Sequence, residues 1–124
     1  MFRQIIYANS DNNTYINSSN IKYDEKNNIV ELSKNSKINI DNTNILVDRG
    51  IIDYNQDTFQ VFGNFYLYQE FNILSGKNLS GDTKLVNFTA NSVSYIYNND
   101  LKIDSDKAER SDNIIFFYNN YLTP

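Results

Sequence analysis

Apolar and polar residues alternate at a period of two along most of this chain. The alternating runs stand at residues 37–41, 58–62, 64–68, 92–97 and 100–104. Alternation of this kind puts one side of an extended chain against a core, so it predicts β-strands. Clusters of Asn, Asp, Ser and Gly separate the runs at intervals of roughly 8–12 residues, and these residue types favour turns. The pattern predicts an all-β sandwich or barrel.

Helical signals are scarce. Apolar residues nowhere recur at i, i+3, i+4 and i+7 over three turns, and alanine occurs only at positions 8, 90 and 108. The one candidate helix, DSDKAERSD at 104–112, lacks an apolar face. We therefore predict strand and turn there as well.

A degenerate repeat of about 28–31 residues runs through the chain. Ile45, Ile73 and Leu101 are 28 residues apart, and three residues after each comes an Asp or a Gly. The pair Tyr23-Asp24 recurs as Tyr54-Asn55. Both features fit a unit of strand, turn, strand and turn, and stacked units of this kind bury a core shared between neighbours.

Three of the four glycines lie between residues 61 and 82. Gly63 separates two strand-like runs, where a glycine permits a bulge or a sharp bend. We expect Gly76 and Gly81 to permit turns on either side of Leu79. Geometry therefore accounts for these glycines without any chemistry.

Alternation also predicts which side chains face inward. In the run 64–68, Phe65 and Leu67 share one face, whereas Tyr66 and Tyr68 share the other. The full inward set is Ile38, Ile40, Phe59, Val61, Phe65, Leu67, Val86 and Phe88. From the pattern alone these residues form either the core of a sandwich or the lining of a groove.

Composition excludes several classes of function. The 124 residues suffice for one domain with one core, and the net charge of −4 without a basic patch argues against nucleic-acid binding. The chain has no His and no Cys, which excludes imidazole-based triads, thiol catalysis, disulfides and Cys-ligated metals. We expect no cofactor.

Carboxylates are the only remaining catalytic candidates. Asp104 and Asp106 are two residues apart, so they share a face if the segment is a strand. Such a pair could hydrolyse a glycoside or hold calcium, but it fits equally a solvated turn region whose nearby Lys and Arg offset the charge. We expect neither an enzyme nor a metal site.

The chain has no apolar run near the roughly 18 residues of a spanning helix, since its longest run is 114–118. Its first ten residues, MFRQIIYANS, lack the features of a signal peptide. These observations leave a cytoplasmic protein or a piece of a longer chain. The hydrophobic strand that runs into the single proline, Pro124, favours the second.

Residues 21–82 resemble the OstA-like domain of the lipopolysaccharide-transport proteins. The resemblance lies in IKYDEKNNIVEL, ILVDRGIIDYNQDTFQVFGNFYL and ILSGKNLSGD. Residues 61–65, VFGNF, match the A-x-G-N-V core of that family, whereas 32–35, LSKN, stand where its Gly-Asn is expected. The remainder is similar to the end of the N-terminal periplasmic domain of the LPS-assembly proteins, LptD.

The resemblance implies an open β-jellyroll, that is, two facing antiparallel sheets, formed by residues 1–124 as a single domain cut from a longer outer-membrane protein. It implies a non-catalytic role in lipopolysaccharide transport at the periplasmic face of the Gram-negative outer membrane, with acyl chains held against the inward set. The implied protein partners are an LptA-like jellyroll of the periplasmic bridge, the outer-membrane barrel of the same chain and its lipoprotein partner.

Two terminal segments are candidates for pairing with a neighbouring domain, because exposed strand edges can add a strand. They are Ile5, Ile6 and Tyr7 at one end and Ile114, Ile115, Phe116, Phe117 and Tyr118 at the other. Both also fit ordinary paired strands.

The main alternative function is a carbohydrate-binding or adhesin-like β-module. It would place Tyr66, Tyr68, Tyr95 and Tyr97 on exposed faces, where the rings could stack on sugars. A parallel β-helix enzyme uses repeats of similar length, but it needs more than three coils and this chain is too short.

Overall fold

The computed structural model describes the backbone of residues 5–9 and 14–123 and the side chains of residues 14–120. Within these residues the chain forms ten strands: β1 Ile5–Asn9, β2 Thr14–Ser18, β3 Ile21–Asp24, β4 Ile29–Ile40, β5 Thr43–Asp53, β6 Thr58–Gln69, β7 Asn72–Gly81, β8 Phe88–Tyr97, β9 Leu101–Ser111 and β10 Ile114–Thr123. Every alternating run lies in a strand apart from Asp41 and Asp100, which lie in turns. The segment 104–112 is strand and turn, as predicted. The described residues contain no helix long and apolar enough to cross a bilayer.

All strands belong to one antiparallel sheet, in which almost every strand pairs with its neighbours along the chain. The order is β1-β2-β4-β5-β6-β7-β8-β9-β10, and β3 pairs with β4 beside β2. Strand β3 pairs with the first part of β4 and β2 with its last part, so the two short strands follow each other along one edge. Strands β1 and β10 are the two ends of the sheet.

Most of the long strands bend near the middle, and the bends lie side by side across the sheet. The pairing register shifts between Ser33 and Ser36 in β4, between Val47 and Arg49 in β5, and between Gln60 and Asn64 in β6. The pairing register of β7 with β8 shifts twice, between residues 75 and 80 of β7. Register shifts of this kind are β-bulges, which bend a strand and increase its twist.

The bends divide the sheet into two layers. Layer A contains β3 and residues 29–33, 49–53, 58–62, 79–81, 88–91, 107–111 and 114–118; layer B contains β1, β2 and residues 36–40, 43–47, 64–69, 72–77, 93–97, 101–105 and 120–123. Each long strand from β4 to β10 therefore contributes one half to each layer.

The hydrophobic core lies between the layers. One continuous cluster contains Val30, Ile52 and Phe59 of layer A together with many side chains of layer B, among them Ile38 and Phe65. The rings of Tyr95 in layer B and Phe117 in layer A meet with 5.5 Å between their centroids. Each fully buried side chain of this kind contributes about 1.5–3 kcal/mol, so the core holds the layers together.

Each repeat in the sequence corresponds to two consecutive strands and their turns, that is, to one β-hairpin. Ile45, Ile73 and Leu101 lie within the first three residues of β5, β7 and β9. The turn that follows Tyr23-Asp24 and the turn that contains Tyr54-Asn55 are neighbours in space, since the Tyr54 amide donates to the Asn28 carbonyl (3.1 Å). The side-chain amide of Asn55 also donates to the Asn27 carbonyl (2.9 Å).

The glycines act in two ways. Gly63 has a φ of +89° and lies at the register shift of β6, which confirms the predicted bend. The expectation of turns at Gly76 and Gly81 is wrong, because both residues lie within β7. A Cβ on Gly76 would lie 2.8 Å from the Asn91 carbonyl oxygen, and one on Gly81 would lie 2.5 Å from that of Asn87. Glycine is needed there for the close approach of β8 and the loop before it.

Candidate functional site

Seven of the eight residues predicted to face inward are buried between the layers. They are Ile38, Ile40, Phe59, Val61, Phe65, Leu67 and Phe88, each with 0–5 % of its surface exposed. The inner face is apolar in both layers, as the alternation predicts. In the structure these side chains pack against one another as a core, so contact with a lipid chain stays a prediction for all of them.

Val86 is the exception, and the prediction that it faces inward is wrong. It lies in the loop between β7 and β8 and is 38 % exposed. The Asp82 carboxylate accepts hydrogen bonds from the amides of Val86 (3.2 Å) and Asn87 (2.7 Å), which fixes the loop. Leu85, with a φ of +56°, is the residue that enters the core instead.

A cleft of about 380 Å³ opens between the ends of the two layers, on the side away from the bends. We call it the lateral mouth. Its lining residues are Asn42, Gln69, Glu70, Asn72 and Tyr95 from layer B and Arg110, Asn113 and Ile115 from layer A. Tyr95 and Ile115 also pack against the core. The lateral mouth therefore adjoins the apolar interior.

Arg110 supplies the positive charge of the lateral mouth. Its Nε donates to the Asp112 carbonyl (2.9 Å) and its Nη1 to the Leu85 carbonyl (3.5 Å). Among the residues with described side chains only two ion pairs form, Lys102–Asp104 and Lys107–Glu109, so Arg110 has no carboxylate partner there. Burial raises the pKa of Tyr95, and the charge of Arg110 partly opposes this shift.

The terminal strands lie where a partner strand could be added. Strand β10 is at one end of the sheet, and on its outer face Ile114, Phe116 and Tyr118 are exposed. On its inner face Ile115 and Phe117 pack against the core. Strand β1, with Ile5, Ile6 and Tyr7, is at the other end, but these side chains lie outside the described part of the chain. Pairing with a neighbouring domain stays a prediction.

A second cleft, of about 650 Å³, lies on the outer face of layer B next to the bends. We call it the outer cleft. It is lined by Asn17, Ser18, Ser19, Lys34, Asn35, Ser36, Lys37, Leu46, Val47, Asp48, Asn64 and Tyr66. These residues come from four strands and from Ser19 just after β2, and no spacing in the sequence indicates that they meet. The one local signal is LSKN at 32–35, which departs from the Gly-Asn of the OstA-like pattern.

No protein-family model matches the sequence, and no curated protein matches it significantly. The structure is similar to the crystal structure of LptH from Pseudomonas aeruginosa, the LptA-homologous periplasmic component of a lipopolysaccharide-transport device. The TM-score is 0.76 at 9 % sequence identity, and the match covers 92 % of this chain and 96 % of that chain. The fold is an LptA-like open β-jellyroll. At this identity the likeness shows the fold, and the predicted fold class is confirmed.

The carboxylate pair of the jellyroll lies on β9. The Asp104 carboxylate accepts a hydrogen bond from Ser94 Oγ and lies 3.7 Å from Lys102 Nζ, so its charge is already compensated. Asp106 is exposed. Within the described residues, no three acidic, His or Cys side chains are grouped so that they could hold a metal ion.

The four tyrosines of the carbohydrate-binding alternative do not all lie on an exposed face of the jellyroll. Tyr66 and Tyr68 lie on the outer face of layer B with ring centroids 6.5 Å apart and planes at 21°. Tyr97 is also exposed, whereas Tyr95 packs inward on Phe117. The predicted exposed position of Tyr95 is therefore wrong, because its ring packs on Phe117 and against the core.

Proposed function

We propose that this chain is an OstA-like jellyroll domain that takes part, without catalysis, in the transport of lipopolysaccharide through the periplasm. The observation that carries the proposal is the apolar inner face of both layers, which adjoins solvent at the lateral mouth. It is supported by the sequence resemblance at residues 21–82 and by the LptH-like fold over 92 % of the chain.

Acyl chains bind between the layers in this proposal. Each buried methylene contributes about 0.8 kcal/mol, so a chain of roughly a dozen carbons gains about 10 kcal/mol before any cost. Because the interior is filled by side chains, part of that gain is used to separate the layers. The lateral mouth is the entry, since Tyr95 and Ile115 of its lining are partly buried against the core and Tyr95 contacts Phe117. Arg110 there faces the lipid's phosphates, which an acidic domain otherwise repels.

The terminal strands dock head-to-tail with similar domains. The sheet is open, so β1 and β10 each present one unpaired edge. Contacts between unlike ends of identical folds generate an open chain, which suits a bridge across a compartment.

The finer assignment is to the N-terminal domain of an LptD-type protein at the periplasmic face of the outer membrane. It is carried by the sequence resemblance of the C-terminal segment, and LptH supports the domain type that the transport proteins share. In this assignment the 124 residues form one domain, whose further partners are an LptA-like bridge protein, the barrel of its own chain and a lipoprotein.

Photo-crosslinking on β10 tests the lipid path. Phe117 points into the lateral side of the core, whereas its neighbour Phe116 is exposed on the outer face. A photoreactive phenylalanine analogue is placed at either position, and the protein is irradiated in the presence of lipopolysaccharide. We expect lipid adducts at position 117 and few at 116, as measured by gel mobility and mass spectrometry.

Two results would count against the proposal. Adducts at neither position would mean that no acyl chain reaches the interior. Equal adducts at both positions would indicate adsorption of lipid to the surface. Unfolding curves of the two variants show whether each analogue leaves the jellyroll folded.

A further inference from the structure

We propose that the outer cleft binds an acidic saccharide, a sugar that carries phosphate or carboxylate groups. This site differs from the apolar interior, because its exposed side chains, Lys37, Leu46 and Tyr66, lie on the outer face of layer B. Its floor is formed by buried residues of the same strands, among them Ser36 and Val47. The inference does not depend on lipid binding between the layers.

The outer cleft has the size and rigidity of a small-molecule site. Its volume of about 650 Å³ lies in the usual range for such sites. Its backbone is fixed at the bends, since the Asn64 amide donates to Asp48 Oδ2 (3.1 Å) and Ser36 Oγ donates to the Lys34 carbonyl (3.0 Å). The hydroxyl groups of Ser36 and Ser18 are also hydrogen-bonded to each other (2.7 Å), which ties β4 to the end of β2.

Apolar surface in the outer cleft fits the faces of sugar rings. Tyr66 is 49 % exposed and Leu46, its partner on β5, is 39 % exposed. Stacking on Tyr68 orients the Tyr66 ring. The C–H groups on one face of a pyranose carry partial positive charge and pack on the electron-rich face of an aromatic ring.

Polar groups in the outer cleft fit the hydroxyl groups of a sugar. Three asparagine side chains line it: Asn17, Asn35 and Asn64. Within the described part of the chain, none of these three side-chain amides takes part in a hydrogen bond. Each amide both donates and accepts, as recognition of a hydroxyl group requires.

The charges of the outer cleft favour an anion, although the whole chain has a net charge of −4. Lys34 and Lys37 line it, and neither forms an ion pair with a described side chain. Among the described lining residues the only acidic one is Asp48, whose carboxylate already accepts a hydrogen bond from the backbone amide of Asn64. Lys34 has a φ of +67°, a conformation that glycine or asparagine adopts at lower cost. The two lysines therefore recognise the anionic group. The aromatic ring and the side-chain amides beside them recognise the sugar that carries it.

The test compares three probes by isothermal titration calorimetry with the full chain. They are the delipidated acidic oligosaccharide released from lipopolysaccharide by mild acid, the neutral maltohexaose, and inorganic phosphate. We expect the acidic oligosaccharide to bind roughly tenfold more tightly than either of the others. Tyr66→Ala and the double variant Lys34→Gln/Lys37→Gln should each weaken it by roughly tenfold.

Matched controls are Tyr97→Ala and Lys26→Gln, which change an exposed tyrosine and an exposed lysine outside the outer cleft. They should leave the affinity unchanged, and circular dichroism should show that all four variants fold. The proposal is overturned if the oligosaccharide does not bind, if phosphate binds as tightly, or if the controls weaken binding equally.

Intact lipopolysaccharide distinguishes this site from the proposed function. If the outer cleft binds the anionic sugar of intact lipopolysaccharide, the outer-cleft variants weaken the binding of lipopolysaccharide but leave the lipid adducts at position 117 unchanged. If the oligosaccharide binds but position 117 forms no adduct, the saccharide site stands and the lipid path fails. If adducts form at position 117 but the oligosaccharide does not bind, the lipid path stands and the saccharide site fails.

Discussion

Left-handed backbone conformations mark the line along which the sheet bends. Lys34, Gly63, Asn78 and Ser92 have φ values between +49° and +89°, although only one of them is glycine. The Asn78 side chain accepts a hydrogen bond from the Gly63 amide (3.0 Å), and Asp48 accepts one from the Asn64 amide. Side-chain acceptors thus replace ladder bonds that the bulges remove, which stabilises the bend.

The close approach of β8 makes Gly76 a sensitive position. In Gly76→Ala the new Cβ would lie 2.8 Å from a backbone oxygen and 2.9 Å from Val93 Cγ1. We expect it to lower the free energy of unfolding by about 1–3 kcal/mol. Gly50→Ala is the matched control, with its nearest atom at 3.2 Å, and should lose less than about 1 kcal/mol. Urea unfolding followed by circular dichroism measures both, and equal losses would refute the steric account.

The hydrogen bonds of Asp57 make one turn sensitive to pH. The Thr83 hydroxyl (2.6 Å) and amide (3.2 Å) donate to its carboxylate and lower the pKa of Asp57 below 3.8. The stabilisation is therefore complete well above the ordinary pKa of an aspartate side chain, and it is lost as the pH falls through the lower pKa of the folded state. Asp57→Asn should cost about 0.5–1 kcal/mol at neutral pH after solvent screening. The difference in the free energy of unfolding between the parent protein and Asp57→Asn should disappear in unfolding curves measured at strongly acidic pH. A difference that stays constant with pH would contradict this account.

The strands could be predicted from the sequence because each has one buried and one exposed face. Alternation correctly predicted the inward faces of Ile38 and Phe65. The lack of an apolar helical face correctly predicted strand and turn at 104–112. It failed at Val86, because the positive φ of Leu85 reverses the side-chain order within a loop. It could not predict the outer cleft, because Tyr66, Lys34 and Asn17 are brought together only by the bends and by strand pairing.

At the end of the sheet, β10 combines an unpaired edge with an apolar outer face. Phe116→Lys puts a charge on that face while the inner residues Ile115 and Phe117 stay in place. If β10 docks on another copy, the variant should self-associate at least several-fold more weakly, as measured by sedimentation velocity over a range of concentrations. The control is Phe62→Lys, an exposed aromatic position on the internal strand β6. An equal effect of both variants, or none, would argue against docking through β10.

For the whole molecule, lipid binding requires that the layers separate at the lateral mouth. The chain has no cysteine, so a pair introduced at Asn72 and Asn113 can be joined selectively with a flexible bismaleimide. These residues lie on opposite layers, and we expect the crosslink to abolish the lipid adducts at position 117. A crosslink between Asn39 and Asn44, which are paired within layer B, should leave the adducts unchanged. Adducts that persist in the first variant would show that lipid enters elsewhere.

Pairing between strands that follow each other along the chain also bears on how this protein folds. From β4 to β10 each new strand adds to the edge that the previous strand has just formed. Contacts that are close in sequence cost little loop entropy, so the sheet can grow from one end in the order in which the chain emerges. A hairpin of about 28 residues can likewise be inserted or deleted without rethreading the others, as in stacked repeat proteins. Relatives of this jellyroll should therefore differ in length by whole hairpins.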